Sequence, residues 1–298
     1  MDRARDSRRG AARVSRAVVV MAPAKINLTL EVLGRRADGY HELTSVFATV
    51  DVRDRVRVAP HKTLDVRIAP DIGAPAGEDL ATKAVLALAE ANDRAPFAHV
   101  RVKKRIPVAA GLGGGSSDAG AVLRALARVW RLDGQGLEEV GARVGSDVPF
   151  FTSAAPYALV RGRGEQVEPL PAPAPLWIAL VRLRERVSTA EVFDTYRGNR
   201  SKGARSASLA RAMREGAATP AVIREYLVND LLPAAERVCL RIAEARKTAA
   251  DAGIALTMSG SGPSLFALAD DRAHAIQIAR RLRRSGLDAR STAVGVTS

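Results

Sequence analysis

From Pro107 to Asp118 the chain reads Pro107, Val108, Ala109, Ala110, Gly111, Leu112, Gly113, Gly114, Gly115, Ser116, Ser117 and Asp118. The glycines let a backbone turn tightly and come close to a ligand. An alternating segment leads in and a helical stripe leads out. Ser116 and Ser117 therefore stand at a helix start, where unpaired N–H groups and the helix dipole favour phosphate. A flexible turn with a serine cap would use the same residue types, but the strand–loop–helix context points to phosphate. The loop lacks the Gly-Lys-Ser/Thr of a Walker A loop and the closing glycine of a dinucleotide fingerprint. A protein-kinase catalytic loop and an Asp-Phe-Gly are also missing. His41-Glu42-Leu43-Thr44-Ser45 lacks the second histidine of a zinc protease, and no metal-ligand cluster stands out elsewhere.

Phosphoryl transfer also needs a group to take the proton of the accepting hydroxyl. Asp147 can do that, or it can cap a short helix with Pro149 in its first turn; both readings stand. Lys25 is its natural partner. An ammonium beside Asp147 would keep the carboxylate ionised and stabilise a developing alkoxide. Of the 46 basic residues only seven are lysines, so a lysine here is less easily read as surface decoration. Tyr40 and His41 follow a Gly39 turn and by themselves read as a hairpin with a packed tyrosine and an exposed histidine. Ser259, Gly260, Ser261 and Gly262, before Pro263, offer backbone N–H groups or a plain turn. Asn229-Asp230 lies near a helix end, and its role is open.

Several elements must position these groups. Ala24 to Leu33 reads as a strand with Ile26, Leu28, Leu30 and Val32 on one face and Lys25, Asn27, Thr29 and Glu31 on the other. Asp51 to Val58 and His99 to Ile106 alternate as half-buried strands with basic outer faces. Helices are predicted at 80–91, at 116–130 with the stripe Ala119, Val122, Leu123, Leu126, Ala127 and Trp130, and at 137–144. The run Pro169 to Pro175 suits neither helix nor central strand and marks a boundary. After it come a strand (176–182), helices at 209–215 and 221–231, one long helix at 234–250, strands at 254–258 and 264–269, a helix at 272–284 and a last strand at 289–293. Residues 1–16 read as a disordered basic tail, 17–170 as a nucleotide-binding domain and 171–298 as a second domain. Both mix helices and strands, so the class is α+β.

The length of 298 residues and a hydrophobic content of 47% are ample for a core. A net charge of +14 suits an acidic small substrate as well as nucleic acid, and the arginines are spread rather than blocked. No apolar run is long enough to span a membrane. Cys239 is the single cysteine, so no intrachain disulfide is possible, which fits a reducing cytoplasm; its neighbours suggest a buried helical position.

Pro107 to Asp118 resembles the central phosphate-binding motif of the GHMP kinases, and Ser259 to Pro263 resembles their third motif. Pro23-Ala-Lys-Ile-Asn-Leu-Thr-Leu30, Gly34 to Leu43 and Gly145-Ser-Asp-Val-Pro-Phe-Phe151 are similar to the branch that phosphorylates cytidine-diphosphate-linked methylerythritol. The resemblance runs in order from about residue 18 to 270. It implies a two-domain fold, with an N-terminal domain like ribosomal protein S5 domain 2 and a ferredoxin-like C-terminal domain. ATP would lie on Pro107 to Ser117 with Mg²⁺, the Ser117 hydroxyl being one contact for the metal. The Ser259–Gly262 loop would close on the phosphates. Asp147 would be the general base for the 2-hydroxyl, Lys25 its partner, and Asn27 a substrate-positioning residue. Tyr40 would stack on cytosine with Phe193 opposite, His41 would bind its edge, and Thr189 would be a nearby polar contact. The implied protein is a cytoplasmic monomer or homodimer with a small-molecule substrate and neither nucleic acid nor membrane as partner. Two alternatives remain: a GHMP kinase for homoserine or mevalonate, which has no need of Tyr40, His41 and Phe193, and a nucleic-acid-binding module, which does not explain Lys25 with Asp147.

Overall fold

The structure, a computed structural model, describes residues 17–75, 77–198 and 201–297. The expected basic tail at 1–16 lies outside the described residues. Strands β1 (Val18–Asn27) and β2 (Thr29–Arg35) lead to the long β3 (His41–Ala59) and then β4 (Leu64–Ala69). Helix α1 (Leu80–Glu90), β5 (Ala98–Lys103), α2 (Gly114–Trp130), α3 (Leu137–Val144) and α4 (Val148–Thr152) follow, then β6 (Tyr157–Gly162) and β7 (Gln166–Pro169). Beyond the prolines come β8 (Leu176–Val181), α5 (Thr189–Thr195), α6 (Ala204–Arg214), α7 (Pro220–Tyr226) and β9 (Val228–Asn229). The chain ends with α8 (Leu232–Val238), α9 (Leu240–Asp251), β10 (Thr257–Met258), β11 (Leu265–Ala269), α10 (Arg272–Arg284) and β12 (Ala289–Val294).

The strand β3 is the spine. It pairs antiparallel with β1, β2, β5, β6 and, through Val294 opposite Val50, with β12. In turn β12 pairs with β8, β8 with β11 and β11 with β10, so sheet pairing continues into the C-terminal half. Helices α1, α2 and α3 bury their apolar stripes against Val20, Ala22, Val56, Val58, Val100 and Val102. Of the predicted α2 stripe, all but the half-buried Trp130 are buried. Helix α10 covers β8, β11 and β12 with Ala275, Ile278, Ala279 and Leu282.

A third core cluster lies between these and joins the halves. Ala24, Ile26 and Leu28 meet Leu176, Ile178 and Leu180 of β8, Phe266 and Leu268 of β11, and Ala110 and Leu112 of the glycine loop. Leu112 is 1% exposed. Burying such a side chain contributes on the order of 2 kcal/mol, enough to anchor an otherwise glycine-rich loop.

Several expectations change. The strand expected over 24–33 is two strands, interrupted at Leu28, and its polar face is buried: Asn27, Thr29 and Glu31 are 1%, 0% and 4% exposed. Glu31 accepts from the Ser206 N–H and hydroxyl and from the Ser201 hydroxyl, which ties β2 to the start of α6. The helix expected over 221–231 ends at Tyr226, because Val228 and Asn229 add to the edge of β2. The single long helix expected over 234–250 is two, because Cys239 is extended at φ −138°, ψ 94°; its side chain is half-buried at the break rather than buried within a helix.

Candidate active site

One cavity of ≈ 720 Å³ is lined by Lys25, Asn27, Tyr40, His41, residues 107–116, Asp147, Arg163, Thr189, Phe193, Gly260 and Ser261. That volume suits a nucleotide and a second small molecule. Candidates from six separate stretches of chain therefore meet in one cleft.

Lys25 belongs to β1 and is 4% exposed. Its ammonium lies 2.8 Å from Asn27 Oδ1, 3.5 Å from Asp147 Oδ2 and 4.4 Å from the centre of the Phe47 ring. The alternation of β1 puts Lys25 and Asn27 on one side, and burial makes their hydrogen bond obligatory. Asp147 occupies the N-cap position of α4 with Pro149 in the first turn, yet its side chain makes no capping bond. The local backbone thus fixes the carboxylate while leaving its oxygens to the cleft, where it is 28% exposed. Gly113 makes room for this pair: a Cβ there would stand 3.1 Å from Lys25 Cγ and 3.2 Å from the Phe151 ring.

The glycine loop runs into α2 with Gly113 at the N-cap in the left-handed region, φ 68°. Ser116 faces the cavity. Ser117 does not: it is 1% exposed and its hydroxyl donates to the Pro23 carbonyl at 2.6 Å. The structure therefore corrects the expectation of Ser117 as a metal contact and makes it an anchor of the loop on β1.

The second glycine loop docks on the first. Ser259 Oγ donates to Gly111 O at 2.9 Å, and a Cβ on Gly111 would lie 2.2 Å from Ser259 O. The Gly260 N–H donates to Asn27 Oδ1 at 2.8 Å. Gly262 and Ser259 lie behind the cavity wall, with the Gly262 N–H donating to Ser259 O at 2.9 Å. Asn229 braces the loop from the other side, donating to the carbonyls of Met258 and Gly260 at 2.9 and 2.8 Å.

Aromatic side chains gather at another part of the cavity wall. His41 stacks on Phe193 with centroids 4.9 Å apart and planes at 26°. Tyr40 is 52% exposed, and the Arg163 guanidinium stands 5.2 Å from its ring centre. Thr189 Oγ1 is 2.8 Å from Ser261 Oγ. His41 thus covers one face of the Phe193 ring. Burial, with the nearby Arg35 cation adding to it, holds the His41 imidazole below its ordinary pKa and favours the neutral ring.

Several residues of the site were not singled out from sequence. Lys104, between Asp54 and Asp118, lines the cavity beside the glycine loop. Burial pushes the Asp118 carboxyl up to about 8 against the pull of Lys104. Burial works against the Lys104 ammonium too, but Asp118 and Asp54 hold it above its ordinary value. The rarity of lysine, used to pick out Lys25, would have served for Lys104 as well. Ser45, which accepts from Asn27 Nδ2 at 2.8 Å, had no sequence signal.

A family model for the GHMP kinases N terminal domain matches residues 79–154, and one for the GHMP kinases C terminal domain matches residues 204–288. The chain is 41% identical over 275 residues to a 4-diphosphocytidyl-2-C-methyl-D-erythritol kinase of Pelotomaculum thermopropionicum, covering 90% of this chain and 94% of that one. It belongs to the GHMP kinases.

A second relative of this GHMP kinase, from Symbiobacterium thermophilum and bearing the same name, is 38% identical over 89% of the chain and 95% of its own length. Among solved structures, a 4-(cytidine 5'-diphospho)-2C-methyl-D-erythritol kinase superposes with a TM-score of 0.75 at 33% identity, covering 94% of this chain and all of the other. The homoserine kinase of Cytophaga hutchinsonii superposes at 0.72 with 17% identity, over 96% of each chain, and shares the fold. The α+β two-part GHMP fold thus agrees with expectation. Among the described residues no helix is long and apolar enough to cross a membrane.

Proposed function

We propose that this GHMP kinase transfers the γ-phosphoryl of ATP to the 2-hydroxyl of 4-diphosphocytidyl-2-C-methyl-D-erythritol, giving ADP and the 2-phosphate in the non-mevalonate route to isoprenoid precursors. The observation that carries this reading is that one cleft holds both the phosphate-type glycine loop with Lys25 and Asp147 and the Tyr40, His41 and Phe193 aromatic group. The names of the 41% and 33% identical relatives support the same acceptor. Residues 17–170 form the nucleotide-binding half in this reading and 171–298 the half that supplies the closing loop; the reaction is cytoplasmic.

Residues 107–116 would receive the phosphates on backbone N–H groups and the α2 dipole. Mg²⁺ supplies charge neutralisation on the phosphate oxygens when bound. Among the described residues no group of three or more His, Cys, Asp or Glu side chains could hold a metal. Asp147 takes the proton from the acceptor hydroxyl. Lys25, held by Asn27 and 3.5 Å from Asp147, stabilises the alkoxide as it develops. Tyr40 and Phe193 would flank cytosine, with His41 at its edge and Thr189 nearby, a flat-ring site for a flat base.

ADP release with Mg·ATP and the cytidyl acceptor, run beside homoserine and mevalonate, tests the assignment. Turnover with the cytidyl acceptor alone is expected. Turnover with either control instead would reject the cytosine site while keeping the family.

A further inference from the structure

A cluster of buried ionisable groups that the mechanism leaves unused lies beside the glycine loop. Asp54 on β3 is 0% exposed and Asp118 on α2 is 3% exposed. The Lys104 ammonium lies 2.5 Å from Asp54 Oδ2 and 2.5 Å from Asp118 Oδ2. Asp54 Oδ1 accepts in addition from the N–H of Arg105 and, at 2.8 Å, from the N–H of Ile106. Asp118 Oδ1 has no hydrogen-bond partner. Two carboxyl groups thus share one ammonium in a buried site, an arrangement that gains little stability over apolar packing and calls for another reason to exist.

Its position suggests one. Ile106 is the last residue before the glycine loop, and Asp118 is the first after it. Asp54 fixes the entry by two backbone N–H groups, and Lys104 links that anchor to the exit on α2. The loop is therefore clasped at both ends by one ion network rooted in the sheet. Lys104 also touches what it clasps: a Cβ on Gly114 would stand 3.4 Å from Lys104 Nζ and 2.9 Å from Ile106 Cγ2. A shift of the ammonium is felt directly at the first turn of α2, whose Gly114, Gly115 and Ser116 line the cleft.

We propose that Asp54, Lys104 and Asp118 are positioning residues for the nucleotide, forming a clasp that sets the span of the phosphate loop and hence the aim of its N–H groups. The inference rests on the loop binding ATP. It does not depend on which acceptor is used.

The test is calorimetric titration of the full chain with Mg·ADP, which needs no acceptor, alongside thermal melts. Asp118→Ala opens the clasp, while Asp118→Asn keeps an acceptor for Lys104. Asp118→Ala is expected to weaken Mg·ADP about tenfold, and Asp118→Asn to stay within about threefold of the parent. Where Asp118→Ala does not fold, Lys104→Gln is titrated in its place, with the same weakening expected. A folded Asp118→Ala with a lower melting point and unchanged Mg·ADP affinity would show a structural role only and overturn the proposal. So would an Asp118→Asn as weak as Asp118→Ala, because geometry would then not be what the carboxyl supplies. If the parent failed to bind Mg·ADP, the nucleotide assignment and this inference would fall together; silence with the cytidyl acceptor alone would touch only the acceptor.

Discussion

Asn27 Oδ1 accepts one hydrogen bond from Lys25 Nζ and another from the Gly260 N–H, both at 2.8 Å. One carboxamide oxygen therefore holds the candidate catalytic ammonium and docks the Ser259–Gly262 loop. Asn27 is 1% exposed, and its Nδ2 is taken by Ser45, so direct contact with substrate is the lesser part of its work. Asn27→Ala is expected to lower kcat about 10- to 100-fold, the cost of losing a hydrogen bond to a charged group, while acceptor KM stays within about threefold. Steady-state kinetics decides it. A large rise in acceptor KM with kcat intact would restore Asn27 to the substrate-binding role expected from sequence.

The two sequence readings of Asp147, helix cap or base, separate in the same way. Its side chain makes no capping bond, so stability should not depend on it. Asp147→Asn is expected to keep the melting temperature within about 2 °C and to lower kcat about 10²- to 10⁴-fold, with ATP binding retained. A variant that melts early but turns over normally would make Asp147 a structural residue.

Helices α3 and α10 have the bounds that periodicity predicts, and α2 begins two residues earlier, because an apolar stripe on one face is what each helix buries. The break at Cys239 left no such trace. The apolar residues Ala234, Ala235, Ile242, Ala245 and Ala249 keep helical spacing across it, so periodicity runs on where the backbone turns. Strand β6 was unread for a related reason: Tyr157 to Val160 is buried on both faces and shows no alternation. In the site, the glycine loop, Lys25 and Asp147 were legible as residue types in a strand–loop–helix setting. The Asn27 to Gly260 bond and the Lys104 clasp were not, because each joins side chains or backbone groups that only the fold brings together.

The stacked His41 and Phe193 make a prediction about pH. The His41 pKa lies below its ordinary value through burial and then Arg35, so the free enzyme holds a neutral ring at and above about pH 6.5. A neutral ring accepts or donates to a base edge, whereas a protonated one next to Arg35 would have to be neutralised before the stack forms. Acceptor KM is therefore expected to be flat from about pH 7 to 8 and to rise as pH falls through the lowered His41 value. Phe193→Ala should raise acceptor KM at all pH values and leave ATP KM unchanged. A selective loss of ATP affinity in Phe193→Ala would contradict the cytosine site.

The glycines of the phosphate loop should not be equally replaceable. Gly111 has φ +71°, and its Cβ would fall 2.2 Å from Ser259 O, a backbone atom of the docked loop. An alanine there costs about 1–2 kcal/mol in backbone strain and must also push the two loops apart. Displacement of about 1 Å in a positioned site can cost about a hundredfold, so Gly111→Ala is expected to lower kcat/KM for ATP by that order. Gly115 lies within α2, and its Cβ would meet only Leu80 Cδ1, at an ordinary 3.5 Å. Gly115→Ala keeps its N–H for phosphate and should stay within about threefold of the parent. Side-by-side ATP kinetics of the two variants checks the docking of Ser259 on Gly111: equal losses would mean that the loop's glycines serve ligand approach alone, and that the contact between the loops does not govern catalysis.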